Sequence, residues 1–188
     1  MHIVSLTRLN RAVWDVQGEL ELHGFFDKKL AGIDVYLSWC GFAFGWCWYG
    51  TSGNIYIPAL SFGRIYDRIR GEARTPLRDV LRHEYGHALA HTHRALFCSL
   101  PFKRAFGSHH DADIRSDYDP ERHVTPYAAT SPSEDFSEVF MLYLRHSGEL
   151  PERFDTWRIR RKWKFVRDLG VAVKSGQRRW KKPAQQCL

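Results

Sequence analysis

No apolar run in this 188-residue chain is long enough to span a bilayer; the longest, around Trp39 to Tyr49, is short and interrupted by glycine. The start of the chain lacks a basic segment followed by an apolar stretch, so no Sec-type leader is expected and the expected location is the cytoplasm. Other export routes leave no such mark. Biased tracts and internal repeats are also missing, which excludes disordered, collagenous and coiled-coil classes. Cysteine is scarce: Cys40, Cys47, Cys98 and Cys187 include no C-x-x-C pair and make neither a disulfide framework nor a zinc ribbon. Cys40 and Cys47 could face each other across a hairpin turning near Gly45. The simpler expectation is that both are buried as small hydrophobes in an aromatic-rich strand pair. Cys187, next to last, is misplaced for prenylation.

What is present is ordinary globular material, 44% hydrophobic, 14% aromatic and 26% charged, enough for one compact domain with a short appendage. The net charge of +7 is uneven. From Pro151 onward 12 Lys and Arg face 3 Asp and Glu, a balance of +9, whereas the first 150 residues hold 16 against 18, a balance of −2. Basicity therefore belongs to the C-terminal segment, not to the body of the domain.

Weak alternation over residues 1–30 suggests an opening strand or two. Ile33–Trp39 alternates with β-branched and aromatic residues and reads as a strand, with Phe42–Tyr49 continuing the sheet. A turn at Thr51–Asn54 leads to a short strand over Asn54–Pro58, which the proline confines to an edge. Thr75-Pro76 opens a helix in which Leu77, Val80, Leu81, Ala88 and Leu89 recur at helical spacing, running to about Phe97. Residues 105–130 form a long polar loop, of the length that is usually functional or mobile. A second helix runs from Ser131-Pro132-Ser133-Glu134 through Arg145, with Phe136, Phe140, Tyr143 and Leu144 on one face and Gly148 ending it. A third, basic helix covers Pro151–Leu169. The expected class is α+β: a small mixed sheet with an edge strand over the Thr75–Phe97 helix, then a helical C-terminal half.

The informative segment is His83-Glu84-Tyr85-Gly86-His87. On a helix, positions i and i+4 share a face, so both imidazoles can reach one ion, and zinc takes imidazole nitrogens. The intervening Glu84 is placed to deprotonate a metal-held water. A third ligand is then needed. His91 lies too far along the axis from His83, about 12 Å at 1.5 Å per residue. His93 has the metzincin spacing, but Ala90 stands where that pattern uses glycine to break the helix. Glu134, with Glu138 one turn on and both off the apolar face, is the better candidate, although Ser131-x-x-Glu134 is equally a capping box.

These residues, followed by Tyr127-Ala128-Ala129-Thr130-Ser131-Pro132-Ser133-Glu134-Asp135-Phe136-Ser137-Glu138, resemble the zinc-binding metallopeptidases of bacteria. They are similar also to the catalytic domain of anthrax lethal factor, of the gluzincin type. The resemblance covers roughly residues 50–150 and implies a zincin-like domain over residues 1–150. It implies one zinc per chain on His83, His87 and Glu134, with Glu84 as general base, Tyr127 as the phenol that stabilises the oxyanion, and Glu138 behind a ligand histidine. The implied activity is zinc-dependent hydrolysis of a protein or peptide substrate, as an endopeptidase. Along the Asn54–Pro58 strand an extended peptide could add by β-augmentation.

Two alternatives stand beside this reading. One is a metzincin-like peptidase with His93 as third ligand. The other is a non-catalytic zinc-containing module that binds nucleic acid through its basic tail. In that tail, residues 151–188, Arg158–Lys164 and Arg178–Lys182 interleave cations and aromatics, which suits an anionic partner: nucleic acid, an acidic protein or a membrane surface. The simpler expectation is a helix that packs Phe154, Trp157 and Val166 on the domain with its charges solvated. The acidic and histidine-rich run His109–Asp113, with Asp117 and Asp119, meets no calcium-loop spacing and reads as solvated loop that could line a cleft.

Overall fold

Leu9, Ala12, Val16 and Leu20 recur at helical spacing, and all four are buried in α1 (Leu6–Leu22). Ser5 caps it, its hydroxyl accepting the Arg8 N–H at 3.3 Å. The expected opening strands are therefore a helix. Its period is hard to see because Leu6, Trp14 and Leu22 on the same segment are exposed, Trp14 by 80%. The computed structural model of the chain describes residues 3–41, 45–49, 52–61 and 75–180. Phe42 to Phe44 and Lys181 to Leu188, which include Cys187, fall outside them.

A short α2 (Lys28–Ala31), capped by Asp27, leads into the sheet. Its strands are β1 (Asp34–Gly41), β2 (Gly45–Tyr49) and β3 (Ser52–Ser61), in spatial order β1-β3-β2. β1 runs parallel to β3, from Asp34 opposite Asn54 to Gly41 opposite Ser61. β2 runs antiparallel to it, from Gly45 opposite Tyr56 to Tyr49 opposite Ser52. The Asn54–Pro58 segment is thus part of the central strand, and the expectation of an edge strand there is overturned. Among the described residues Pro58 has one sheet neighbour, β1, because the described pairing with β2 runs only to Tyr56, and such a position is where a proline is tolerated. Since β3 separates β1 from β2, Cys40 and Cys47 do not face each other. Both are free and exposed, so neither are they the buried pair that their aromatic neighbours suggested.

The remaining regular elements among the described residues are helices: α3 (Leu77–Thr92), α4 (Arg94–Phe97), α5 (Leu100–Phe106), α6 (Pro132–Arg145) and α7 (Trp157–Lys174), with 3-10 turns over Tyr127–Thr130 and Glu152–Phe154. The fold is mixed α+β, about 55% helix, with a small three-stranded mixed sheet. α3 stops short of Phe97; His93 caps its end, its N–H donating to Leu89 O at 3.0 Å. Among the described residues no helix is long and apolar enough to cross a membrane.

The helix pair α3 and α6 positions the site. Gly86 faces α6 so closely that an added Cβ would stand 3.2 Å from Phe140 Cδ1 and from Ser137 Oγ. Fully buried Tyr85 bonds Gln17 of α1 through its hydroxyl, at 3.1 Å. α7 buries Ile159, Val166 and Leu169 against the domain. Trp163 Nε1 donates to Gly148 O at 2.7 Å, and Trp180 Nε1 to Leu96 O at 2.8 Å. Val166 packs as expected and Phe154 is half-buried, but Trp157 is exposed, its ring lying under the Arg158 and Arg161 guanidinium groups.

Candidate metal centre

One turn of α3 separates His83 from His87 and brings their Nε2 atoms to 3.1 Å. α6 supplies Glu134, whose Oε2 lies 3.1 Å from His83 Nε2 and 3.3 Å from His87 Nε2. Among the described residues this is the one group of three or more His, Cys, Asp and Glu side chains that could hold a metal ion. Ligands bonded at 2.0–2.1 Å around a tetrahedral zinc are separated by about 3.3–3.4 Å. The observed spacings match three corners of such a tetrahedron. Glu134 Oε2 is buried with no partner beyond the two imidazole nitrogens, and a cation between the three atoms would serve them all. The donor set and its spacing fit zinc.

Each histidine is held from behind. His83 Nδ1 lies 2.8 Å from Glu138 Oε1, and Glu138 Oε2 accepts from Thr125 Oγ1 at 2.7 Å. Thr125 in turn accepts the Ala128 N–H at 3.1 Å. When His83 carries a single proton, on Nδ1 toward Glu138, its Nε2 lone pair faces the centre, the tautomer a metal ligand needs. His87 Nδ1 lies 3.3 Å from Ser133 Oγ and 3.2 Å from Ser137 Oγ. Sequence reasoning misses Ser133, Ser137 and Thr125. The signal for the two serines is a tandem Ser-Glu at positions 133–134 and 137–138, one helical turn apart.

The capping and ligand readings of Glu134 are compatible. Its backbone N–H donates to Ser131 Oγ at 3.1 Å, while its carboxylate turns to the histidines. Burial works against the charged forms of both partners, but the mutual contacts win. The Glu134 carboxyl is held well below the usual carboxylate range by His83 and His87, and His83 is raised to about 10 by Glu134 and Glu138.

Glu84 lines the same cavity, its pKa raised by burial against the pull of His83, His87 and a backbone hydrogen bond from Trp46. Tyr127 leans its ring toward His83, with centroids 5.8 Å apart. Burial and then the Glu134, Glu84 and Glu138 charges push its phenol up to about 12, so the hydroxyl stays protonated. All of this opens on a cavity of about 880 Å³. One wall of it is β2, through Gly45, Trp46 and Trp48; another is the 105–130 loop, through His110 to Asp113.

No protein-family model, curated protein or solved structure matches this chain. The functional reading therefore rests on residues and geometry. His93 stands apart from the cluster: its Nε2 lies 3.1 Å from Asp27 Oδ2, and its Nδ1 lies 3.0 Å from Thr92 Oγ1. Unbroken helix through Ala90 carries it past the centre, as the missing glycine foretold. His91 stacks on Trp48 at the cavity wall, with centroids 5.3 Å apart.

Proposed function

We propose that this chain is a zinc-dependent metallopeptidase of the gluzincin type, zincin-like in its α3–α6 core, with His83, His87 and Glu134 as the metal ligands. The observation that carries this reading is the single Glu134 oxygen set against both Nε2 atoms, with Glu138 behind His83. When bound, zinc supplies a Lewis acid that lowers the pKa of a coordinated water and polarises a carbonyl.

The chain's own residues do the rest. Glu84, beside the cluster and with a pKa raised by burial, takes the proton of the attacking water and returns it to the leaving amine. Tyr127, protonated across the physiological range, donates a hydrogen bond to the oxyanion that develops on the substrate carbonyl. The substrate is a peptide in extended form. Among the described residues β1 and β2 are the edge strands, since β3 is internal, and of the two β2 borders the cavity. An extended segment laid along Gly45–Trp48 would present its backbone to the cluster.

The test measures zinc per chain by plasma mass spectrometry and hydrolysis of a peptide library. The wild type should carry one zinc, Glu134→Ala should lose it, and Glu84→Gln should keep it while hydrolysis falls by about 10²–10⁴-fold. A folded wild type without zinc after metal is added back, or an undiminished Glu84→Gln, would sink this reading.

A further inference from the structure

A second cavity, of about 500 Å³, lies behind the Tyr127–Thr130 turn, and Ser131 lines both cavities. Its chemistry is the opposite of the first. Arg104 from α5, Arg122 from the loop, and Arg158, Arg161 and Lys162 from α7 converge on it, against one lining carboxylate, Asp135. The cations differ in how fully they are paired. Lys162 is buried and occupied by Asp135 Oδ2, at 2.5 Å, and by the Arg122 carbonyl. Arg122 and Arg158 meet carboxylates of Asp119 and Glu121 only at 3.3 and 3.5 Å on the surface, where such pairs add little. Arg104 and Arg161 have no carboxylate partner among the described residues; Arg161 instead donates to the Arg104 carbonyl at 3.1 Å.

The inner end carries the second observation. Asp135, which lines the cavity, is 4% exposed, and its buried Oδ1 has no hydrogen-bond donor. A ligand that satisfies every part of this cavity is anionic where it meets the guanidinium groups and donates an N–H or O–H where it meets Asp135. Between the two, Phe106, Ile114 and Trp157 provide apolar wall. An inorganic ion fills neither the volume nor the inner acceptor.

We infer that this cavity binds an organic phosphate, its phosphate on Arg104 and Arg161 and its hydrogen-bond donor on Asp135. Guanidinium forks match phosphate oxygens two at a time, which suits unpaired arginines better than it suits lysines. A nucleotide base and a sugar hydroxyl both supply the inner donor. The inference is independent of the peptidase reading, since none of these residues touches the histidine cluster.

Isothermal titration of the full chain with ADP, ribose 5-phosphate and inorganic phosphate tests it. ADP or ribose 5-phosphate should bind at least tenfold more tightly than inorganic phosphate. Arg104→Ala and Arg161→Ala should each weaken that binding by about tenfold. Circular dichroism melts check that both variants fold; the Arg104 side chain is exposed and holds nothing else in place. No heat with either organic phosphate would overturn the inference. So would affinity unchanged in the folded arginine variants, or inorganic phosphate binding as tightly as ADP. Binding of single-stranded DNA that strengthens with strand length would replace the pocket with a nucleic-acid surface.

Discussion

Arg82 and His83 are neighbours in the chain, yet α3 sends them into polar clusters of opposite kinds. Arg82 joins α1 to α3: its guanidinium takes Glu19 with two bonds, at 2.7 and 2.5 Å, and Asp79 at 2.5 Å. Arg145 of α6 closes the set on Asp79 at 3.1 Å. There each donor has an acceptor, and the network ties three helices together. On the other face His83, His87 and Glu134 crowd three ligand atoms into one place, and the buried Glu134 oxygen meets nothing but the two imidazoles. A cluster that serves only the fold satisfies its groups, because an unpaired buried charge is expensive. A cluster poised for a ligand leaves the last bond to that ligand.

The sharpest way to break this comparison is Arg82→Met. It strands Asp79, whose side chain is 3% exposed, with Arg145 alone. It should cost about 3–5 kcal/mol of stability, read from denaturant melts, without changing zinc stoichiometry in the folded fraction. A small stability change would show that the Arg82 network is dispensable and remove the contrast.

Glu138→Gln asks the complementary question. Among the described residues its carboxylate bonds His83 and Thr125, so zinc affinity should fall by about 10–100-fold in competition with a chelator. The metal-free melt should move far less than in Arg82→Met. An equal effect on both readouts would make Glu138 a structural group like Asp79.

The smallest effect is expected at His93. Burial lowers its pKa below 6.5, against the pull of Asp27. In that window the unfolded chain binds the proton that the folded chain refuses, so this residue's share of stability is present above pH 6.5 and lost as pH falls below it. The melting temperature of the wild type should drop between pH 6.5 and 5 more steeply than that of His93→Gln, with zinc content equal in the two. Loss of zinc in His93→Gln would restore the metzincin alternative.

These expectations draw unequally on sequence and on structure. The α3 and α6 segments were legible because their apolar positions recur every three or four residues and because Ser131 sits where a cap must sit. α1 was not, since exposed Leu6, Trp14 and Leu22 dilute the same period. The order of the strands was not legible either. A proline rule that holds for a whole strand failed because, among the described residues, β2 pairs with β3 only from Ser52 to Tyr56. Glu84, Tyr127, Glu134 and Glu138 were readable as candidates through motif and resemblance, whereas Ser133, Ser137 and Thr125 carry residue types that serve every cap and turn.

By itself the sequence determined the features set by local geometry: two imidazoles and a carboxylate on one turn, and a second helix whose Glu134 and Glu138 share a face away from its apolar one. Only the tertiary structure decided that these faces meet. His83 and Glu138 are 55 residues apart in the chain, and no local pattern encodes their 2.8 Å contact. It depends on how closely α6 can approach α3 at Gly86, where the missing Cβ leaves room for Ser137 and Phe140. The same holds for the arginines of α7, which read as a solvated basic stretch in the sequence. Packing against α5 and the loop makes them one wall of a cavity.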